Sequence, residues 1–222
     1  MKKLMEQFNT HKIVAIIRGV ESIHMLSTAQ ALLAGGISIM EVTFNHTSQN
    51  GAAETLRSIS LLKEKLGNQI TLGAGTVLTP QQVVDAHQAG AEYMVSPNVD
   101  CNVIAKTKEL GLLSMPGALT PSEIISAYFA GADIVKLFPV GNLGISYIRA
   151  LRGSIGHIPL AAVGGVKPDN IVDFLEAGVI CAGIGGNLID VKHIQNGNFS
   201  AITIQAKRYI KCVEEYNHLK GY

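Results

Sequence analysis

Hydrophobic positions along this chain follow one motif that returns. In AGGISIMEVTF, AGAEYMVSP, LGLLSMPG, AGADIVKLFP and AGVICAGIGG, a segment with helical spacing runs into Gly and a short apolar stretch follows. Glycine accepts the left-handed conformation that ends a helix, and a continuous run of Ile, Val, Leu or Met suits a strand buried on both faces. Each unit therefore reads as helix, cap and parallel strand.

Adding KIVAIIRG, ITLGAGTVL and IPLAAVGGV gives eight strands, near 13–18, 37–44, 70–75, 93–96, 112–116, 134–138, 159–163 and 180–184. Helical periodicity fills the intervals at 23–34, 52–66, 80–89, 101–110, 121–130, 145–151, 168–177 and 201–218. Alternating βα units predict an α/β protein with a parallel sheet. Eight units in 222 residues, without an obvious reversal of strand order, favour a closed (β/α)8 TIM barrel over an open doubly wound sheet. No linker interrupts the pattern, so residues 1–222 are expected to form a single domain, with the polar stretch Asp190 to Ser200 preceding only the final helix.

Charge and cysteine usage narrow the function classes. A formal net charge of +1, from 18 basic and 17 acidic residues without long runs, provides no broad field for nucleic acid or anionic lipid. Cys101, Cys181 and Cys212 are scattered and suit a reducing cytoplasm. The start of the chain lacks the apolar stretch of a signal peptide, and no window of about 20 apolar residues follows, so neither export nor a membrane partner is expected.

In a barrel of this kind, chemistry is carried at the C-terminal ends of the strands. Lys136 interrupts the apolar run Ile134 to Phe138. An amine in a desolvated pocket loses proton affinity, and its neutral form attacks a ketone to give an imine; a structural lysine reaching a rim carboxylate is the bland reading. Glu41 ends the second run, where a carboxylate can shuttle protons or simply pair with Lys136. Arg18 closes the first run as a planar donor for a carboxylate, or as a surface ion-pair residue. Thr76 adds a hydroxyl after Gly73 and Gly75. Gly164 and Gly165 follow the seventh strand, and Gly185, Gly186 and Asn187 the eighth, the usual pair of phosphate loops in this fold; tight turns alone also explain the glycines.

Taken together, EVTFN at 41–45, GAGTVL at 73–78, SPN at 96–98, KLFP at 136–139 and AVGGV at 162–166 resemble the signature of the 2-keto-3-deoxy-6-phosphogluconate/4-hydroxy-2-oxoglutarate (KDPG/KHG) aldolase family, from about Lys12 to Leu188. The resemblance implies a class I aldolase, a carbon–carbon lyase releasing pyruvate and glyceraldehyde 3-phosphate from a phosphorylated keto-deoxy sugar acid. It implies Lys136 as Schiff-base lysine, Glu41 as general acid/base, Thr76 and Arg18 as carboxylate contacts, and Pro97 and Phe138 as pocket walls. The phosphate would lie over Gly164, Gly165, Gly185, Gly186 and Asn187. A homotrimer that needs no metal or other cofactor is also implied. Asn45, Val163 and Asn187 depart from the gluconate pattern, and Asn45 with Ala-Val-Gly-Gly resembles the galactonate branch more closely. Val163 cannot donate to a substrate hydroxyl as Thr does, which makes it a specificity candidate between two epimers at C4.

Four rivals share these residues or this fold: a 4-hydroxy-2-oxoglutarate aldolase, a phosphosugar isomerase or epimerase, a regulatory barrel that only binds sugar phosphates, and a metal-dependent aldolase. The seven histidines show no close ligand spacing, which disfavours the last. His46 and Cys181 are placed near the site by position alone.

Overall fold

The computed structural model describes residues 2–220. Strands β1 (Ile13–Ile17), β2 (Ile39–Thr43), β3 (Thr71–Gly75), β4 (Tyr93–Val95), β5 (Leu113–Met115), β6 (Gly117–Ala118), β7 (Val135–Leu137), β8 (Leu160–Val163) and β9 (Cys181–Ile184) pair in parallel in the order β5-β4-β3-β2-β1-β9-β8-β7-β6. The nine segments occupy eight barrel positions, because β5 and β6 are two parts of one run broken at Pro116. Proline has no N–H to give to a ladder. Its carbonyl still accepts from Lys136 N at 2.9 Å, so the run pairs with β4 before the break and with β7 after it. The ring thereby closes as the strand count predicts.

Helices α2 (Ser22–Ala34), α3 (Gly51–Leu66), α4 (Pro80–Gln88), α5 (Cys101–Glu109), α6 (Pro121–Phe129), α7 (Gly144–Ile155), α8 (Ile171–Glu176) and α10 (Phe199–Lys220) surround the sheet. Their starts carry the expected chemistry: Thr120 accepts from Glu123 N, and the Glu123 carboxylate accepts from Thr120 N, just before α6. The five glycines that punctuate the repeat, Gly36, Gly90, Gly111, Gly131 and Gly178, all have positive φ.

Alternation along each strand divides the apolar residues into two cores. Ile17, Met40, Val42, Leu72, Val135 and Leu137 face the helices. Val14, Ile39, Tyr93, Val95, Leu113, Met115 and Ile134 fill the barrel interior.

Two helices lie where the sequence pattern gave none. α1 (Lys2–His11) covers the N-terminal end of the barrel, with Phe8 fully buried and its ring edge-on to Tyr93 at 5.2 Å. Its apolar face, Leu4, Met5 and Phe8, is too sparse to stand out in a polar segment, yet it completes the inner core. α9 (Val191–Gln195) lies within the polar stretch Asp190 to Ser200 that precedes the final helix, started by Asp190, whose side chain accepts from Lys192 N. α8 is shorter than the expected 168–177, since Asn170 spends its side chain on Lys167 N and Gly165 O rather than continuing a helix.

Candidate active site

The C-terminal ends of the strands open into a cavity of about 480 Å³. Arg18, Thr76, Pro97, Lys136, Phe138, Val163, Gly164, Gly165, Gly185, Gly186 and Asn187 all line it. Glu41, the remaining expected residue, is buried beneath this lining at 2% exposure.

Lys136 is inward-facing on β7 and only 5% exposed, between Ile134 below it and Phe138 above. Its Nζ lies 4.8 Å from the centroid of the Phe138 ring. Burial lowers the Lys136 ammonium below its ordinary value; the Glu41 charge opposes this and the Arg18 charge adds to it. Burial likewise raises the Glu41 carboxyl above the usual carboxylate value, against the pull of Lys136 and Arg18. A lysine more easily deprotonated, beside a carboxyl more easily protonated, is a pair suited to proton exchange.

The two glycines of β3 explain why Gly-Ala-Gly precedes Thr76. A Cβ on Gly75 would sit 2.3 Å from Glu41 Oε1, and a Cβ on Gly73 would sit 2.4 Å from the Tyr93 ring. Both glycines face inward, and each clears a space for a larger side chain from a neighbouring strand.

Thr76 has a φ of 58°, in the left-handed region that a β-branched residue enters at a cost. Two contacts hold it there. Arg18 donates from Nη2 to Thr76 Oγ1 at 2.9 Å, and the His46 ring Nε2 lies 2.9 Å from the Thr76 carbonyl oxygen. His46 thus supports the site from outside the cavity lining. Cys181 lies instead in the inner core, fully buried, with its thiol pushed up to about 12 by that burial.

After β8 and β9 the glycine loops are anchored by their carbonyls. Gly165 O accepts from Asn170 Nδ2 at 3.1 Å, and Val166 O accepts from Asn187 Nδ2 at 2.9 Å and from Tyr209 Oη at 3.2 Å. Among the described residues, the N–H groups of Gly165 and Gly186 have no protein acceptor. Loops with their carbonyls tied back and their amides free are suited to an anion. Gly141 fits this arrangement closely, since a Cβ on it would lie 2.7 Å from Gly164 O.

A family model described as KDPG and KHG aldolase matches residues 4–205. The chain belongs to this aldolase family. Among relatives, the 2-dehydro-3-deoxy-6-phosphogalactonate aldolase of Escherichia coli K12 is 33% identical over 177 residues, covering 79% of this chain and 83% of that one. The 2-dehydro-3-deoxy-phosphogluconate aldolase of Haemophilus influenzae is 30% identical over 214 residues, covering 96% and 98%. A crystal structure of KDPG aldolase from Legionella pneumophila, with pyruvate captured at low pH as a covalent carbinolamine intermediate, superposes with a TM-score of 0.82 at 27% identity, covering 91% of this chain and 96% of that one.

The cavity also contains residues that reading the strand ends missed. Ile16, Val166, Gly183 and Ile184 line the same cavity. Ile16 and Gly183 were legible in principle, since each lies two residues before a chosen position, Arg18 and Gly185, on the same inward-facing register. Asn45 is not in the lining: its Oδ1 accepts from Thr47 N at 3.0 Å and Thr47 Oγ1 at 2.7 Å, closing a local turn.

Proposed function

We propose that this aldolase uses Lys136 as a Schiff-base nucleophile to cleave 2-keto-3-deoxy-6-phosphogalactonate or its gluconate epimer into pyruvate and glyceraldehyde 3-phosphate. The observation that carries the proposal is a buried lysine, its proton affinity lowered, coupled to a buried carboxyl beneath a cavity edged by anchored glycine loops.

In the proposed sequence, the neutral Lys136 amine attacks the C2 ketone and water departs as the iminium forms. Glu41 accepts the C4 hydroxyl proton while the C3–C4 bonding electrons move into the iminium, leaving an enamine and freeing the aldehyde. Protonation at C3 and hydrolysis of the imine release pyruvate and restore the lysine. Arg18 and Thr76 bind the substrate carboxylate, Pro97 and Phe138 bound its carbon chain, and Gly164, Gly165, Gly185, Gly186 and Asn187 receive the phosphate. The galactonate epimer is favoured by Val163, an apolar wall where a hydroxyl would offer a hydrogen bond, and by the naming of the E. coli relative.

A second reading, cleavage of 4-hydroxy-2-oxoglutarate, draws support from Asn187, whose amide is already engaged by the Val166 carbonyl and supplies no hydroxyl to a phosphate. We infer further that the enzyme works as a cytoplasmic homotrimer in a single domain. Exposed Phe129, at 82%, with Ile125 and Tyr128 on the same helix supports an association surface, and the free cysteines Cys101, Cys181 and Cys212 support a reducing compartment.

The test is pyruvate release from each phosphorylated epimer and from 4-hydroxy-2-oxoglutarate, followed with a coupled dehydrogenase. Release fastest from the galactonate epimer is expected. A folded enzyme that releases no pyruvate from any of the three would overturn the proposal.

A further inference from the structure

Tyr93 is fully buried in the barrel interior, and its hydroxyl has no hydrogen-bond partner among the described residues. A buried phenol left without a partner is costly, on the order of 1–3 kcal/mol, and calls for a reason. Packing alone does not supply one. The ring fills the space above Gly73 and meets Phe8 edge-on, and a phenylalanine would do both.

The location of the hydroxyl does supply one. Gly73 is the register partner of both Glu41 on β2 and Tyr93 on β4, so the two side chains enter the barrel on either side of the same residue. The Tyr93 ring lies over Gly73, whereas the Glu41 carboxylate lies over Gly75, two residues further along β3. The hydroxyl makes no direct hydrogen bond to the carboxylate, so a bond between these two neighbouring side chains would pass through a bridging water.

We propose that Tyr93 is a positioning residue for Glu41, donating its phenolic hydrogen through a single trapped water to the carboxylate and so holding it in place and in its ionised form. The inference rests on the class I aldolase reading, in which Glu41 moves the protons. The charges acting on Glu41 are those of Lys136 from β7 and Arg18 beyond β1; those acting on the Tyr93 hydroxyl are Glu41, Cys181 and Glu92. Burial raises the phenol well above its usual value, with the Glu41 charge the next cause, so the hydroxyl keeps its hydrogen and acts as a donor throughout the working pH range. Lys136 and Arg18 stabilise the Glu41 carboxylate by charge. Tyr93 adds a directed donor from below, at the level of Gly73.

Tyr93→Phe removes only the oxygen. The probe is pyruvate, whose methyl hydrogens exchange for deuterium once an imine and enamine form, followed by NMR as a function of pH. The variant should lose roughly tenfold in exchange rate. The acid limb of its profile should move up by about half a unit to one unit, because the carboxylate loses a donor. Borohydride trapping of pyruvate should half-saturate at the same concentration as in the parent enzyme. An unchanged profile, or a loss of rate without any displacement of the acid limb, would overturn the role. A parent enzyme that neither traps nor exchanges pyruvate would instead overturn the aldolase reading. A high-resolution crystal structure of the unaltered protein tests the geometry independently of any variant: a water bonded to both Tyr93 Oη and Glu41 supports the inference, and a dry contact between them overturns it.

Discussion

Gly75 lies against Glu41 so closely that a single added Cβ would fall 2.3 Å from the carboxylate Oε1. Gly75→Ala therefore tests the carboxylate's position without changing the carboxylate itself. Turnover should fall by about 10² or more, the lower range for a misplaced acid/base. Stability should fall by about 1–3 kcal/mol from overpacking. Steady-state kinetics and denaturant unfolding measure the two effects, and an alanine variant with full turnover would show that Glu41 has room to move without consequence.

The pH dependence of imine formation follows from the direction of the Lys136 shift. The attacking species is the neutral amine, and burial lowers the ammonium below 10.5, so the reactive fraction at neutral pH exceeds that of an ordinary lysine. The initial rate of borohydride trapping with pyruvate should rise with pH and level off through a midpoint below 10.5. A midpoint at 10.5 would mean that the amine is solvated in the working enzyme.

Arg18→Lys retains the charge but loses the planar fork that reaches Thr76 at 2.9 Å. Because Arg18 is exposed, stability should change by no more than about 0.5 kcal/mol. The half-saturating pyruvate concentration should rise by roughly tenfold, a loss of about 1.4 kcal/mol in carboxylate recognition. Equal half-saturation in the two proteins would remove Arg18 from the carboxylate site.

Phe8 has no exposure and closes the barrel floor from α1. Phe8→Ala should destabilise the protein by about 3–5 kcal/mol, measured by chemical denaturation. A cost below about 1 kcal/mol would show that α1 is only loosely attached to the barrel.

How much of this was legible depends on the period of the signal. The βα repeat was readable because Gly36, Gly90, Gly111, Gly131 and Gly178 each mark a helix end before a strand buried on both faces, and a strand buried in that way leaves an uninterrupted apolar run. Glu41 and Arg18 were readable for the same reason in reverse, each being a charge at the end of such a run, and Lys136 because it interrupts one. α1 was not, because its one fully buried residue, Phe8, is surrounded by polar positions and its value comes from contact with Tyr93, far away in sequence. The break at Pro116 was hidden because one strand run and two short ones have the same pattern. The support of Thr76 by His46 links positions 30 residues apart through a carbonyl oxygen, and no side-chain pattern encodes a carbonyl. The spaces above Gly73 and Gly75 were equally hidden, since a glycine in sequence does not name the side chain it makes room for.

The most direct measurement is peptide mapping by mass spectrometry after incubation with pyruvate and borohydride. The expected result is a reduced pyruvyl adduct on the peptide containing Lys136, lost in Lys136→Ala while that variant remains folded. A folded, unaltered protein that acquires no adduct, or acquires one on another lysine, would contradict the assignment of Lys136 as the Schiff-base residue.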